Sequence, residues 1–492
     1  MQIQLRRGNG QPVYRQIAEA AREAMGSGHL APGEKLPPIR ALARKLGVNR
    51  DTVALAYEEL AGQGLVESTV GRGTFVAPEA AARPLPAPPE LALSPIVERL
   101  LDAERARPRF AAGPDTVAMH ALVPEVGLYP AEGFRRALNR ALAEGGPELL
   151  VYGPPQGHPR LREILAERLG RAGVRADPEE LVLCHGASQG IALAVRLLAA
   201  PGDAVAVEEP TYGNVLTTLL SLGIRPVPVP MGEAGPDLDA LARVLARPEV
   251  KLFYTIPTFH NPMGITTRAA HRRELLRVAA AAGKPVVEDA FEMDLVEGRP
   301  EPPLAALDAH GLVVHLFSFS KSLFPGTRVG SILARGRLLE AVLALKRASD
   351  LSDAMPLQAA LAEFVAAGAY DRHLASLRRI LAARRRALLE VLDEHMPPGT
   401  RWTRPAGGYQ LWVELPEGID TAELLPDAVR AGVLFAPGHQ FTCDGRPSNA
   451  LRLTVATADE AALHRGVTIL GRLVRERLEA HPRLGALTDI HV

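Results

Sequence analysis

Lysine is scarce in this 492-residue chain: of 56 basic residues only six are lysine, at positions 35, 45, 251, 284, 321 and 346. Cysteine is scarcer still. Cys184 and Cys443 are the only two, too few for a disulfide framework and without metal-ligand spacing. Net charge is absent as well, because 56 acidic residues balance the basic ones. The whole molecule is therefore no polycation, and any nucleic-acid contact has to come from a local patch. No run of about 18 apolar residues occurs, and the opening MQIQLRRGNG holds no apolar core of a signal peptide. The expectation is a cytoplasmic protein without metal or membrane contact.

At this length, with 47% hydrophobic residues, the chain exceeds what one core usually fills, so two or more domains are expected. The stretch APEAAARPLPAPPELALSP has no apolar period and reads as a semi-rigid linker. It gives a head over 1–78, a linker over 79–95 and a body over 96–492. The body divides into a large part over about 130–395 and a small part over about 96–129 plus 396–492. The head carries ten Lys/Arg against seven Asp/Glu, an excess too modest to argue DNA binding by charge alone.

Spacing argues further. In the head, Val13, Ile17, Ala20, Ala21 and Ala24 recur at helical intervals, and PPIRALARKLGVNRDTVALAYEEL reads as two short helices broken at Gly47. Asn49 is the expected N-cap of the second, which puts Arg50, Asp51 and Thr52 in its first turn. GLVESTVGRGTFVA reads as strand, glycine turn and strand, with Arg72 at the tip. Charges on a small helical module are usually only solvated, so periodicity alone settles nothing. The ordered run YRQI…GHLAPGEKLPPIRALARKLGVNRDTVALAYEELAGQGLVE…GRGTFV resembles the winged helix-turn-helix head of GntR-type bacterial regulators. That resemblance implies double-stranded DNA as partner, contacted by Arg40, Asn49, Arg50, Thr52 and the wing tip Gly71, Arg72 and Gly73. Pro38 stands where the family usually has a small residue such as serine, which removes a phosphate-binding hydroxyl.

In the body, helical segments alternate with the apolar runs LVLCHG, AVAVEEP, LFYTIP, PVVEDA and LVVHLFSFS. This is the pattern of an α/β fold with a mostly parallel sheet, whose ligands bind at the carboxyl ends of strands. Polar motifs follow those runs. Lys321 and Ser318 lie in SFSKSLFPGTRVG with Arg328 seven residues beyond the lysine, and GASQG opens a helix with Ser188 and Gln189 in its first turn. Asp289 ends a strand, Asn261 sits in HNPMG, and Tyr212 in EEPTYGN can stack on a ring. Singly these are weak signals, since an aspartate after a strand is more often a cap and NP more often a turn. In order, YGPPQGHPRLRE, GASQG, EEPTYGN, IPTFHNPMG, VEDAF, SFSKSLFPGTRVG, GGYQLW and NALRLTVA resemble the class I aminotransferases of fold type I.

That resemblance implies pyridoxal 5′-phosphate as cofactor, with Lys321 as the catalytic amine. It implies Asp289 on the ring nitrogen, Asn261 on the phenolate oxygen, and Ser188, Gln189, Ser318 and Arg328 around the phosphate. It further implies a homodimer in which Tyr152 reaches the partner's phosphate, and Arg452 gripping an amino-acid carboxylate. Head and body together resemble the MocR subgroup, in which the cofactor body senses pyridoxal phosphate or a small amino compound. Two features depart from the pattern. Phe291 stands where a tyrosine two or three residues after the ring aspartate usually donates to the phenolate, which should raise the pKa of the lysine–cofactor imine unless Tyr254 or Tyr409 supplies the phenol. Conversely, Asn261 is the residue of a working aminotransferase, where the regulators often have a different turn. A regulator is the expected function; an active aminotransferase of the aminoadipate or aromatic type is the alternative, and a bare dimerisation scaffold is disfavoured by the retention of Lys321, Asp289, Asn261 and Arg328.

Overall fold

The computed structural model describes residues 3, 12–69, 72–77, 92–105, 113 and 115–480. They fall into two compact units that divide between Leu93 and Ser94. Gly71, and the expected linker as far as residue 91, lie outside the described residues.

The first unit holds helices α1 (Val13–Gly26), α2 (Ile39–Leu46) and α3 (Arg50–Gly62), then strands β1 (Val66–Thr69) and β2 (Gly73–Val76), paired antiparallel. Gly47 ends α2 at φ 63°, the left-handed conformation that glycine adopts without strain, and this turns the chain sharply into α3. Asn49 then caps α3 by accepting from the Asp51 amide at 3.1 Å. The core is Ile17, Ala21, Leu42, Val53, Ala56, Tyr57 and Leu60, all buried. Tyr57 also donates to the Pro37 carbonyl at 2.8 Å, tying α3 to the entry of α2.

The second unit begins with α4 (Pro95–Arg105) and β3 (Val117–Ala118), followed by α5 (Ala131–Gly145) and α6 (Pro159–Arg171). Eight strands then build the main sheet: β4 (Leu181–Cys184), β5 (Ala204–Glu209), β6 (Arg225–Gly232), β7 (Gly235–Pro236), β8 (Val250–Thr255), β9 (Val286–Asp289), β10 (Val313–Ser318) and β11 (Gly330–Leu333). Their order is β4-β11-β10-β9-β8-β5-β6-β7. From β10 to β6 all pairings are parallel, whereas β11 runs antiparallel to both β10 and β4. The five apolar runs are strands buried along nearly their whole length; four are central and parallel, whereas β4 is the edge strand beside the antiparallel β11. Helices α7 (Gly186–Leu198) and α8 (Gly213–Ser221) follow β4 and β5.

A second sheet forms from β12 (Arg401–Trp402), β13 (Gln410–Glu414), β15 (Ala436–Pro437) and β16 (Ala450–Thr454), and β14 (Val433–Leu434) pairs with β3. Through that pairing the irregular segment after residue 115 is stitched into the carboxyl-terminal part: Met119 N–H donates to Leu434 O at 2.8 Å and Thr454 N–H to Met119 O at 3.0 Å. Among the described residues no helix is long and apolar enough to cross a membrane.

Candidate functional site

The strand ends β4, β5, β8, β9 and β10 open on one side of the sheet, and the polar motifs converge there. Asp289 closes β9 and is buried; its Oδ2 accepts from Tyr254 Oη at 2.7 Å, while Oδ1 has no well-formed hydrogen bond among the described residues, the Phe291 amide giving it only slight support. Burial pushes its carboxyl up to about 6, against the pull of the Tyr254 hydrogen bond and of His315. Lys321 lies beyond the end of β10. Burial lowers its amine to about 8, opposed by Glu292, while Arg452 and Arg328 push it down further. A lysine that loses its proton near neutrality is a usable nucleophile.

The anion end is built from backbone. Gly186 starts α7 at φ 75°, and a Cβ placed there would stand 3.1 Å from Arg328 Nη2. The guanidinium therefore lies across the amino-terminal turn of the helix, donating to His185 O at 2.8 Å. Arg328 itself has φ 49°, a left-handed backbone rare for a side chain of its size, and stays exposed. The exposed Ser188 belongs to the same turn. Ser318 is buried and accepts from the Ser320 amide at 3.2 Å. Gln189 is placed differently: its side chain accepts from the His185 amide at 2.7 Å and donates to Asp350 Oδ2 at 2.7 Å, which holds it toward those two residues.

On the other side, Asn261 Oδ1 accepts from Arg452 Nη1 at 2.8 Å, and both residues are buried. Arg452, on β16, also donates to the His120 carbonyl at 2.5 Å, and its guanidinium sits 4.9 Å from the Phe441 ring centroid. His120, which the sequence did not single out, thus carries the irregular segment into the site. Tyr212 begins α8 and accepts at its phenol from Asn214 at 2.9 Å. Tyr212, His120 and Arg452 line a cavity of about 750 Å³ that runs out to Arg99 on α4. Tyr152 stands apart, 77% exposed beside the equally exposed Leu150, Val151 and Leu351.

Phe291 has no hydroxyl to offer the pocket. It packs into the apolar cluster of Tyr254, Val287 and Leu316, and the next residue, Glu292, shares the interior with Lys321 and Arg452. Neither substitute phenol has a proton to spare, since Tyr254 donates to Asp289 and Tyr409 donates to the Lys321 carbonyl at 2.7 Å.

The residues present suit pyridoxal phosphate. An unpaired buried carboxylate oxygen on Asp289 fits a cationic ring N–H, the Gly186 turn with Arg328 is a cradle that a Cβ would fill, and Lys321 is deprotonable near neutrality.

Comparison with known proteins agrees. Residues 125–470 match the family of class I and II aminotransferases, and residues 13–76 match the gntR family of bacterial regulatory proteins. An Escherichia coli HTH-type transcriptional regulator, YdcR, is 31% identical, with 94% of this chain and 99% of that one aligned. The probable rhizopine catabolism regulatory protein MocR of Rhizobium meliloti is 30% identical over 96% of this chain and 98% of its own. The chain belongs to the MocR-like regulators. Its body shares the aminotransferase fold of the α-aminoadipate aminotransferase LysN of Thermus thermophilus, with a TM-score of 0.70, 33% identity, and 79% of this chain and 96% of that one covered.

In the head, the MocR-like winged helix presents Arg40, Asn49, Arg50 and Arg72 exposed and Thr52 half-buried, with Gly73 opening β2 at the foot of the wing. Arg50 pairs with Asp51 at 3.3 Å in open solvent, a contact too weak to hold it from a phosphate.

Proposed function

We propose that this protein is a cytoplasmic, dimeric transcriptional regulator that binds double-stranded DNA through its head and pyridoxal 5′-phosphate, with or without a small amino compound, through its body. The observation that carries the reading is that one chain joins a gntR-type head to an aminotransferase fold that holds Lys321, Asp289 and Arg328. A DNA-binding protein needing only a scaffold has no use for a buried Asp289 with an unpaired oxygen or for a deprotonable Lys321.

In this reading Lys321 supplies the amine that bonds the cofactor's aldehyde, and Asp289, kept in place by Tyr254, holds the ring nitrogen. Ser188, the Gln189 amide, Ser318 and Arg328 receive the phosphate at the positive end of α7. Tyr212 covers the ring, and Asn261 steers Arg452, whose guanidinium takes an incoming carboxylate in bidentate fashion. When bound, the cofactor supplies an electrophilic carbon that exchanges one primary amine for another, which makes the pocket a sensor for amines. The exposed strip Leu150, Val151, Tyr152 and Leu351 supports the dimer, since an apolar patch of that kind marks an interaction surface. In the head, Arg40, Arg50, Thr52 and Arg72 meet the phosphates and groove edges together with Asn49 and the Gly71 and Gly73 backbone.

Incubation with pyridoxal phosphate should give a visible absorption band that Lys321→Ala abolishes; full retention of the band in that variant would refute the cofactor assignment. Binding to the DNA upstream of its own coding region, measured at controlled salt against non-specific competitor, tests the head. One observation favours a second reading, active transamination: the Asn261–Arg452 pair is intact. Repeated turnover of an amino acid with a keto acid, without DNA sequence preference, would decide for it.

A further inference from the structure

Glu292 is the one strongly placed group in the pocket that the reading above leaves without a task. It is fully buried, and neither carboxylate oxygen has a well-formed hydrogen bond among the described residues. Segment 407–410 is pressed against it: Gly408 adopts φ 74°, and a Cβ there would stand 2.6 Å from Glu292 Oε2. Only glycine lets the chain close over the carboxyl in this way. The neighbouring amide gives an anion little help, because Gln410 directs Nε2 to the Phe259 carbonyl at 2.6 Å and only weakly supports the carboxylate. A buried carboxylate with no well-formed hydrogen bond is costly, and the cheap remedy is to keep the proton. Burial accordingly holds this carboxyl up at about 8, opposed by Lys321, the Tyr409 amide, Arg452 and the Gln410 side chain.

The charged and titratable groups facing Glu292 are Lys321 from the turn after β10, Arg452 from β16 and Tyr409 from the start of β13. Once Lys321 is bonded to an aldehyde and Arg452 to a carboxylate, both cations are engaged elsewhere, and the neutral acid is left with one O–H to donate. The phenols that sequence offered for this task have already spent their protons on Asp289 and on Lys321 O.

We propose that Glu292 is a positioning residue of the cofactor pocket, a buried carboxylic acid that donates its proton as a hydrogen bond to the anionic oxygen held beside Lys321 and weakens binding when it ionises. This rests on the cofactor reading, and Lys321→Ala tests that reading separately.

The experiment titrates the full-length protein with pyridoxal phosphate by absorbance from pH 6 to pH 10, as wild type and as Glu292→Gln, which keeps the shape and a donor but cannot ionise. Lys321 gives up its own proton in the same range and strengthens capture, so the ratio of the two affinities is the readout. It should stay near one at pH 6 to 7 and then grow in favour of Glu292→Gln, by up to about tenfold per pH unit above 8, the limit for one linked proton. A ratio that stays flat to pH 10 overturns the proposal. So does a folded Glu292→Gln protein that binds at least tenfold more weakly at pH 7, because the carboxylate would then be the binding form. If that variant does not fold, infrared titration of the wild type decides: a neutral carboxylic C=O band that disappears around pH 8 supports the assignment, and its absence at pH 7 overturns it.

Discussion

Replacing Asp289 with asparagine should change the pH dependence of stability in a way opposite to that of most buried aspartates. The carboxyl is 1% exposed and held at about 6 rather than its ordinary 3.8. The folded chain therefore binds this proton more tightly than the unfolded chain, and stability falls as pH rises from 4 through 6. The loss, about 3 kcal/mol for a displacement of this size, is complete by pH 7. The asparagine side chain cannot ionise and escapes it. The variant carries a cost of its own, about 1–3 kcal/mol for an amide N–H left unpaired where Oδ1 has no well-formed hydrogen bond, but that cost does not vary with pH. The difference between variant and wild type should therefore move by about 3 kcal/mol in the variant's favour between pH 4 and pH 7. Urea unfolding followed by tryptophan fluorescence measures this on the body alone, because the only two tryptophans, Trp402 and Trp412, lie there. Added pyridoxal phosphate should restore the wild type's advantage at pH 7, since a ring N–H gives the ionised Asp289 its partner. Parallel stability curves for the two proteins across pH 4 to 7 would refute the account of Asp289.

Further outcomes are expected at other positions. Gly186→Ala places a methyl 3.1 Å from the Arg328 guanidinium on a left-handed backbone, and should weaken capture of pyridoxal phosphate at least tenfold in the same absorbance titration, about 1.4 kcal/mol. Asn49→Ala removes the cap of α3 and should destabilise the head by about 1 kcal/mol, read as faster amide exchange over Arg50–Gly62 with the body unaffected. Arg72→Ala should weaken DNA binding about equally for all sequences and lower the slope of log affinity against log salt by about one, whereas an unchanged slope would take Arg72 off the phosphate backbone.

Much of this molecule is legible in its sequence because the signals are local. The continuous apolar runs must be buried strands, Gly47 with Asn49 must break and restart a helix, and a lysine in SFSKS at a strand end has few other uses. Even the sensor reading follows from which residue types are kept in which order. The antiparallel β11 was not legible, since GSIL is as apolar as any parallel strand and its direction depends on the turn at Arg328. Nor was the path of the segment after residue 115, which is defined by its pairing with Leu434 and Thr454 more than three hundred residues away.

The same division runs through the site. Sequence alone determined that Lys321, Asp289, Asn261, Arg328 and Arg452 are present, because covalent chemistry and charge reside in residue type. Only the tertiary structure decided where their hydrogen bonds go. It turned the Gln189 side chain toward Asp350, committed the Tyr254 and Tyr409 phenols, placed Phe291 in an apolar cluster and buried Glu292 near Lys321 without a well-formed hydrogen bond. Adjacent residues on one chain carry no label for which will face the pocket. That is set by how β9 ends and by how closely Gly408 lets the opposite segment approach, and both are properties of packing.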